Sequence, residues 1–528
     1  MTTVERSQKG ESPPSACLTI SDEAFVELIG GRSQTALRLA TYMVSAPRDR
    51  PIFTRPLLGE LLHQATELEE MLDACGARNN ERWRPFRSTI AAAKLFANVN
   101  YKLLHVRHSI PIYRLLDIEG DFAAATDEAT AFTGQVLLRI AERFLDQSRR
   151  LGMPPPAARQ TGVDIEERLP PGRLPDDHPA RKNVDAEETV TYLATAFLSQ
   201  AAESEMLHVP DRVDPAHYAE CIPSSVSEER LRRLQHQFHN LQSLYDTFVS
   251  DTDTERLNPD LPVLRGHVSV IFHLLETATE YAHYYERHVM GQAPQPPEGP
   301  GVLVGGEEVL DALMKYSLVY ASRYLLRARD LCQEMLKRYA EVGRIEVAGP
   351  RYRGFHVRPS TLVAKVVRHY GSEVKMELDG ETFDASSPMD IFRANEKINR
   401  RKRLWLMSSV SELQCVKEQN FADDPRQAVR RVVLALAEKG QVVIYQRPLP
   451  VQGPEADDED KTPMQYILDE VKRLQATGVI DIEAEIRVGF IGDKRVLKDL
   501  DLLAESGYGE DNFGNNTPLP EEISYLRG

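Results

Sequence analysis

The stretch RIEVAGPRYRGFHVRPSTLVAKVVRHYG, residues 344–371, marks the point where the chain changes from helical to mixed character. RIEVAG alternates apolar and polar side chains, which predicts a strand, and STLVAKVVRHYG carries apolar residues at helical spacing. Pro359 suits the first turn of that helix, because the amide hydrogen that proline lacks has no partner there in any case. The pattern predicts a strand, a loop and a helix, with His356 at or just before the helix start.

The elements that follow predict a small sheet covered by helices. EVKMELDG and ETFDA indicate a hairpin with Asp379-Gly380 at its turn, and RLWLMSSV indicates a further strand. SPMDIFRANEKI and DDPRQAVRRVVLALAEKG predict helices, the second with Asp424 as N-cap and Pro425 in the first turn. The order is β-α-β-β-α-β-α over residues 344–440, which predicts an α+β sandwich in a domain at 343–447.

The string GFHVRPS, residues 354–360, combines groups that suit a phosphate. Free N–H groups and the dipole at a helix start stabilise an anion, and Arg358 adds a planar cation. Gly354 permits a sharp turn before His356. An imidazole is partly unprotonated and nucleophilic near neutral pH, so His356 is the predicted phosphoryl acceptor, with Arg358 and Gly354 as phosphate-binding residues. A carrier site of this kind is expected to be exposed and shallow, without a water-activating base beside it.

The Gly-hydrophobic-His-x-Arg-Pro string after a first strand, within the β-α-β-β-α-β-α order, resembles the HPr family of histidine-containing phosphocarrier proteins. The resemblance covers about 344–440 of the 528 residues. It implies that His356 is the phosphorylated histidine and Arg358 the phosphate-binding arginine. It also implies an enzyme I-like phosphoryl donor of the phosphoenolpyruvate-dependent sugar phosphotransferase system, and an enzyme II component or a regulatory target as acceptor. The alternative is a retained fold whose histidine is no longer used.

A second modification site also follows from the resemblance, which maps the family's regulatory serine onto Ser387. Ser387 is equally a natural helix N-cap, with Pro388 and Asp390 behind it, so both roles remain open. Pro388 replaces the aliphatic residue usual in the family. The basic stretch 397–403 and an apparent insertion at 411–422 also depart from the family and leave the identity of the partner open.

The rest of the chain predicts a large all-α region before the mixed domain and a small α/β segment after it. Apolar residues recur at helical spacing up to residue 342, whereas prolines and charges cluster between the helical blocks. The predicted ranges are a disordered tail at 1–20, a helical domain at 21–152, a linker at 153–184, a helical domain at 185–342 ending in a long helix, an acidic linker at 448–463, and an α/β segment at 464–528 with a disordered end.

Composition narrows the class of protein. Hydrophobic residues make up 42% and the net charge is −16, so binding to nucleic acid is not expected. The five cysteines lie far apart without a CxxC pair, and no long apolar run or signal core occurs, which predicts a cytoplasmic protein without a membrane span. Residues 343–450 hold 19 basic and 13 acidic residues, and 451–528 hold 8 and 18. The acidic end could fold back on the basic domain, or both could be solvated surfaces.

Two Glu-x-x-His pairs in the helical region offer a metal-binding alternative. They are Glu205 with His208 and Glu280 with His283. Such pairs occur in di-iron helical bundles, although His208 lies at the end of its predicted helix. We find no phosphate loop or nucleophile elbow and expect neither cofactor nor metal.

Three hypotheses of function follow. The first is a phosphocarrier or phosphorylation-sensing regulator acting through His356. Because the HPr-like domain follows directly from a long helix, a sensor is favoured over a bulk carrier. The second is a docking module in a non-enzymatic scaffold, and the third is a metal-binding helical protein.

Overall fold

Helices predominate in this computed structural model. Among the described residues, every strand lies after residue 341. The predicted α+β class with a large helical region is confirmed at this level. No helix in the described ranges is long and apolar enough to cross a membrane. The structure describes residues 19–47, 51–156, 167, 174–175, 186–290, 303–413, 424–453, 462–482 and 486–527.

The helices before the first strand begin and end at recognisable signals. Side chains of Ser21, Thr54 and Asp121 accept hydrogen bonds from the first turns of their helices, and Gly152 ends one in the left-handed conformation. The helices are α1 Asp22–Arg32, α2 Gln34–Ser45, α3 Arg55–Ala74, α4 Arg84–Ser109, α5 Phe122–Leu151, α6 Ala186–Ala202, α7 Val209–Arg212, α8 Glu228–Phe248, α9 Asp253–Leu257, α10 Asp260–Tyr284, α11 Gly306–Asp311 and α12 Val319–Arg338.

The chain divides into two compact units. The first unit comprises the described residues within 1–177, 207–236 and 270–322. Within it, α4 packs against both α3 and α5. Trp83 is fully buried and makes edge-on ring contacts with Phe25 and Phe86. Each of these aromatic side chains buries a large apolar area in this unit.

In the described ranges, two helices contain π-helical turns. One closes α10 at Tyr285–Val289, and the other joins α11 to α12 at Ala312–Leu318. The predicted long helix before the mixed domain is therefore present from Gly306 to Arg338, with a π segment inside it. Such segments are rare and are frequent at functional sites.

The second unit comprises the described residues within 178–206, 237–269 and 323–528, and it contains an antiparallel four-stranded sheet. The strand order is β1-β6-β2-β3. Phe490 of β6 lies opposite Ile345 on one side and Met376 on the other, and it is fully buried. The elements are β1 Val342–Ala348, α13 Val357–Tyr370, β2 Lys375–Leu378, β3 Glu381–Asp384, α14 Pro388–Glu412, β6 Arg487–Asp493 and α17 Lys494–Glu505.

The strand predicted at RLWLMSSV is wrong, because these residues continue α14. No glycine or proline follows Pro388 within the helix, and Lys402, Leu406 and Val410 are buried at helical spacing. The strand that lies between β1 and β2 is β6, which the sequence had placed in a separate α/β segment. Its run of buried residues reflects its central position in the sheet. The range 343–447 therefore does not enclose this sheet.

The residues between α14 and β6 build a second apolar core. They form α15 Pro425–Glu438, β4 Val442–Ile444, α16 Pro463–Ala476 and β5 Ile480–Ile482, and β4 pairs with β5. Asp424 caps α15 with Pro425 behind it, as predicted. Lys402 of α14 donates to Asp481 of β5 over 2.8 Å, with only 4% and 7% of these side chains exposed. This buried ion pair connects α14 to the inserted region, which comprises residues 424–453 and 462–482.

The end of the chain is ordered through residue 527, so the predicted disorder of GYGEDNFGNNTPLP is wrong. Tyr508 is buried and its hydroxyl donates to the Ala348 carbonyl. The hydroxyls of Tyr525 and Tyr370 both donate to the Asp499 carboxylate. The glycines and asparagines suggested disorder, but these anchored tyrosines fix the segment. The predicted tail up to residue 18, most of the linker 153–184 and residues 454–461 of the acidic linker lie outside the described residues.

Candidate functional site

The loop before His356 is held in a specific backbone conformation. Gly354 has φ +62°, and a Cβ at this position would overlap Oδ1 of Asn395. That same oxygen accepts a hydrogen bond from the Phe355 N–H at 2.9 Å, and Nδ2 of Asn395 donates to the Arg353 carbonyl. Buried Asn395 of α14 therefore fixes the turn, and only glycine fits it without strain.

His356 is the N-cap residue of α13, as predicted. Its carbonyl accepts from the Ser360 N–H at 3.1 Å, and the Ser360 hydroxyl donates back to the Phe355 carbonyl. Pro359 lies in the first turn. Within the described residues, the backbone N–H groups of Val357 and Arg358 donate to no acceptor. The positive end of the helix therefore lies beside the imidazole and is available to an anion.

Glu510, which the sequence analysis did not identify, lies against this histidine. Its Oε2 is 2.9 Å from Nε2 of His356, and its Oε1 is 3.9 Å from Nε of Arg358. The exposed fractions of the three side chains are 6% for Glu510, 25% for His356 and 35% for Arg358. The sequence signal for such a contact was the acidic excess after residue 450, and Glu510 is one acidic residue of that end that contacts the basic domain.

The segment around Glu510 is held by its own hydrogen bonds. The Thr517 N–H donates to the Gly509 carbonyl, and the Asp511 carboxylate accepts from the N–H groups of Phe513 and Asn515. A hydrogen bond from the Asn515 side chain lowers the pKa of Asp511 most, and these backbone hydrogen bonds lower it further. The loop therefore presents Glu510 in a fixed position.

Glu510 decides which ring nitrogen of His356 can act as a nucleophile. A carboxylate accepts the N–H of Nε2, and a neutral imidazole then carries its lone pair on Nδ1. Among the described residues, Nδ1 has no hydrogen-bond partner. The expectation of a site without a neighbouring base was wrong, because the carboxylate lies against the other nitrogen of the same ring.

A row of aromatic side chains from three parts of the second unit begins at His356. The Tyr352 ring lies edge-on to His356 at 5.6 Å and to Tyr445 of the inserted region at 4.9 Å, and Phe513 of the end segment follows at 6.5 Å from Tyr445. Arg353 donates to the Gly478 carbonyl, also in the inserted region. A partner that reaches His356 would therefore meet the inserted region and the end segment as well.

Ser387 caps α14, with its hydroxyl accepting from the Asp390 N–H at 3.3 Å. Pro388 is the first residue of the helix. The capping role is confirmed. A phosphorylated Ser387 would add negative charge at a helix start, and this regulatory role stays a prediction.

The two Glu-x-x-His pairs do not converge. Glu280 accepts from the Asn98 amide, His283 contacts Glu228, and Nδ1 of His208 lies 2.8 Å from the Ser322 hydroxyl. In the part of the chain that the structure describes, no group of three or more His, Cys, Asp or Glu residues is placed to hold a metal ion.

Comparison of the chain with known proteins identified no similar protein. No family model matches the chain, and neither a curated protein nor a solved structure shows significant similarity to it. The functional assignment of His356 therefore depends on its own surroundings: a helix start, Arg358 and Glu510.

Proposed function

We propose that this chain is a phosphocarrier or phosphorylation-sensing regulator of a phosphoenolpyruvate-dependent sugar phosphotransferase system, and that His356 accepts the phosphoryl group. One observation carries the proposal. The His356 ring lies at the start of α13 with Nε2 against Glu510 and Nδ1 without a partner among the described residues. This is the arrangement that a neutral, oriented nucleophile requires.

The proposed transfer uses the lone pair of Nδ1. That pair forms the new nitrogen–phosphorus bond while the bond between phosphorus and the donor breaks, and the electron pair of the broken bond stays with the donor. Nε2 keeps its proton, and Glu510 stabilises the positive charge that develops on the ring. Arg358 and the N–H groups at the start of α13 stabilise the phosphoryl oxygens. We assign Glu510 as a positioning residue, since it acts through His356.

The surroundings of the histidine favour a regulator over a freely diffusing carrier. The His356 side chain is only one quarter exposed, and Glu510 contacts Nε2 at the edge of its ring. A phosphoryl group on Nδ1 would place negative charge near Glu510, and like charges repel. Phosphorylation would thus alter the contact between His356 and the end segment, which couples the modification to a change in surface.

The test is phosphoryl transfer from phosphoenolpyruvate through a cognate enzyme I. Wild type, His356→Ala and the control His63→Ala are incubated with radiolabelled donor, since His63 is 61% exposed on α3. Label that is acid-labile and base-stable is expected on wild type and His63→Ala only. Absence of label from wild type, with a donor shown to be active on its own carrier, would contradict the proposal.

The second candidate is a docking module, and the exposed aromatic residue beside the site favours it. Phe513 is 64% exposed and belongs to the row that includes Tyr445 and Tyr352. In this case the unmodified chain would bind an enzyme I-like or regulatory partner, and Phe513→Ala would weaken that binding while His356→Ala would not. The opposite pattern would favour the phosphoryl acceptor.

A further inference from the structure

The first unit contains a polar cavity of about 420 Å³ that the proposed role of His356 does not use. Helices α3, α4, α8 and α10 contribute to it, together with the π-helical segment after α10. Its volume is in the range of small-molecule sites. Its charged and polar lining residues are Glu69, Arg78, Arg87, Lys94, Asn98, Arg232, Glu280, His283, Arg287 and His288.

The lining is basic although the whole chain is acidic. It holds four arginines and a lysine against two glutamates, in a chain with a net charge of −16. One wall is an ion-pair network in which Glu69 contacts both Arg87 and Lys94 at 2.9 Å. Arg87 also donates twice to Asp73, which lowers the pKa of Asp73. These contacts fix the wall in place.

A second part of the lining, Arg232 and His283, is organised by Glu228. Its carboxylate accepts from Arg232 at 2.7 Å and contacts Nδ1 of His283 at 2.9 Å. Burial by itself would raise the pKa of Glu228, but the hydrogen bonds from Arg232 and His283 lower it overall. Glu228 is thus an ionised anchor that positions two of the lining side chains.

Two arginines of the cavity retain their hydrogen-bonding capacity. Arg78 forms no hydrogen bond with any residue in the described ranges, and Nε of Arg287 lies 3.9 Å from Glu228, too far for one. A guanidinium has five N–H donors in a planar fork that matches the oxygens of a phosphate. Two such groups at one cavity form a site for an anion with several oxygens.

The remaining polar residues of the lining offer further donors and acceptors. Asn98 donates to Glu280 at 3.0 Å, which leaves further acceptor capacity on the carboxylate. Burial lowers the pKa of His288 to about 4, so this imidazole is neutral at pH 7 and can both donate and accept. The π-helical segment Tyr285–Val289 carries both Arg287 and His288. These groups suit the hydroxyls of a ligand.

We propose that this cavity binds a small phosphate monoester of a polyhydroxy compound. Arg78 and Arg287 bind the phosphate, and Asn98, Glu280 and His288 contact the hydroxyls. This site is separate from His356 and does not depend on phosphoryl transfer. It gives the helical region a ligand, whose binding can be measured on its own.

The test is isothermal titration calorimetry of the full chain with glucose 6-phosphate as the probe. Arg78→Gln and Arg287→Gln are each expected to weaken binding about tenfold or more, because each removes charge-assisted hydrogen bonds. The control is Arg150→Gln, which removes an exposed arginine paired with Asp146 and outside the cavity lining. This control should bind as wild type does. Circular dichroism of each variant verifies that it is folded.

Several outcomes would overturn the proposal. One is the absence of binding to the wild type at about 10 mM probe, a concentration far above the Kd usual for specific sites. Another is equal binding by the wild type and both cavity variants. Equal binding of glucose would show that the phosphate is not recognised. Equal binding of citrate would show a general anion site and would contradict the phosphate-monoester class.

Discussion

Two contacts of nearly equal length in the second unit have very different surroundings. Lys402 and Asp481 lie 2.8 Å apart, with 4% and 7% of their side chains exposed. His356 and Glu510 lie 2.9 Å apart, but His356 is 25% exposed and Nδ1 has no partner among the described residues. The first contact is closed, which means that both of its side chains are buried. The second leaves a nucleophilic atom and a nearby arginine available. A charged contact that retains bonding capacity is the better candidate for function.

The largest expected effect on stability comes from breaking the closed pair. Lys402→Met leaves Asp481 as an uncompensated buried charge, which should lower the free energy of unfolding by about 3–5 kcal/mol. Urea unfolding measures the change. The control is Lys397→Met on the same helix. The Lys397 side chain is 42% exposed and pairs with Glu381, so its loss should lower the free energy of unfolding by about 0–1 kcal/mol. Equal effects of the two changes would contradict the distinction between closed and exposed pairs.

A pH-dependent effect should follow from His369, which packs against the anchored end segment. Burial lowers its pKa to about 4, and its ring stacks on Tyr525 at 3.8 Å. Because the unfolded chain binds a proton near pH 6.5 and the folded chain does not, this histidine stabilises the fold above pH 6.5. That contribution is lost as the pH falls toward 4, by about 1–3 kcal/mol.

The variant His369→Phe keeps the ring and removes the titration. Its unfolding free energy should therefore fall less than that of wild type between pH 7 and pH 4.5, as measured by urea unfolding at each pH. The other histidines with lowered pKa values contribute equally to both chains, so the difference isolates His369. Identical pH dependence in the two chains would contradict the assignment.

The turn before His356 provides a smaller, local effect. Gly354→Ala should destabilise the fold by about 2 kcal/mol, because it combines a left-handed backbone with overlap against Asn395. Gly380→Ala is the matched control, since Gly380 has φ +78° and a Cβ there meets open space. It should cost about 1 kcal/mol. Thermal unfolding compares the two, and a larger cost at Gly380 would show that Asn395 does not restrict the turn.

The smallest change is Glu510→Gln, which retains the size of the side chain but removes its charge. We expect little change in stability and about a tenfold slower labelling of His356, since one charge-assisted hydrogen bond is worth about 1.5–3 kcal/mol. An unchanged labelling rate would show that Glu510 only fills space.

Local signals predicted the parts of the site that lie close together in the sequence. The Asp379-Gly380 hairpin, the Ser387 cap and the position of His356 at the start of α13 each depend on a few neighbouring residues, and each is confirmed. Turn glycines, caps and short alternations act over that range.

Contacts between distant residues could not be predicted in this way. β6 pairs with β1 across more than a hundred residues, and Glu510 is 154 residues from His356. Strand pairing is decided by the facing side chains, which no local pattern reveals. RLWLMSSV carries branched and aromatic residues, but it becomes helical because no glycine or proline interrupts α14 between Pro388 and this segment.

Phosphorylation of His356 can be tested by identifying the atom that carries the phosphoryl group. Wild type and His356→Ala, both labelled with ¹⁵N-histidine, are incubated with phosphoenolpyruvate and an active cognate enzyme I, and ³¹P–¹⁵N NMR then detects phosphohistidine. We expect a phosphoryl group on Nδ1 in the wild type and no signal in His356→Ala. A signal that persists in His356→Ala, or none in the wild type, would contradict it.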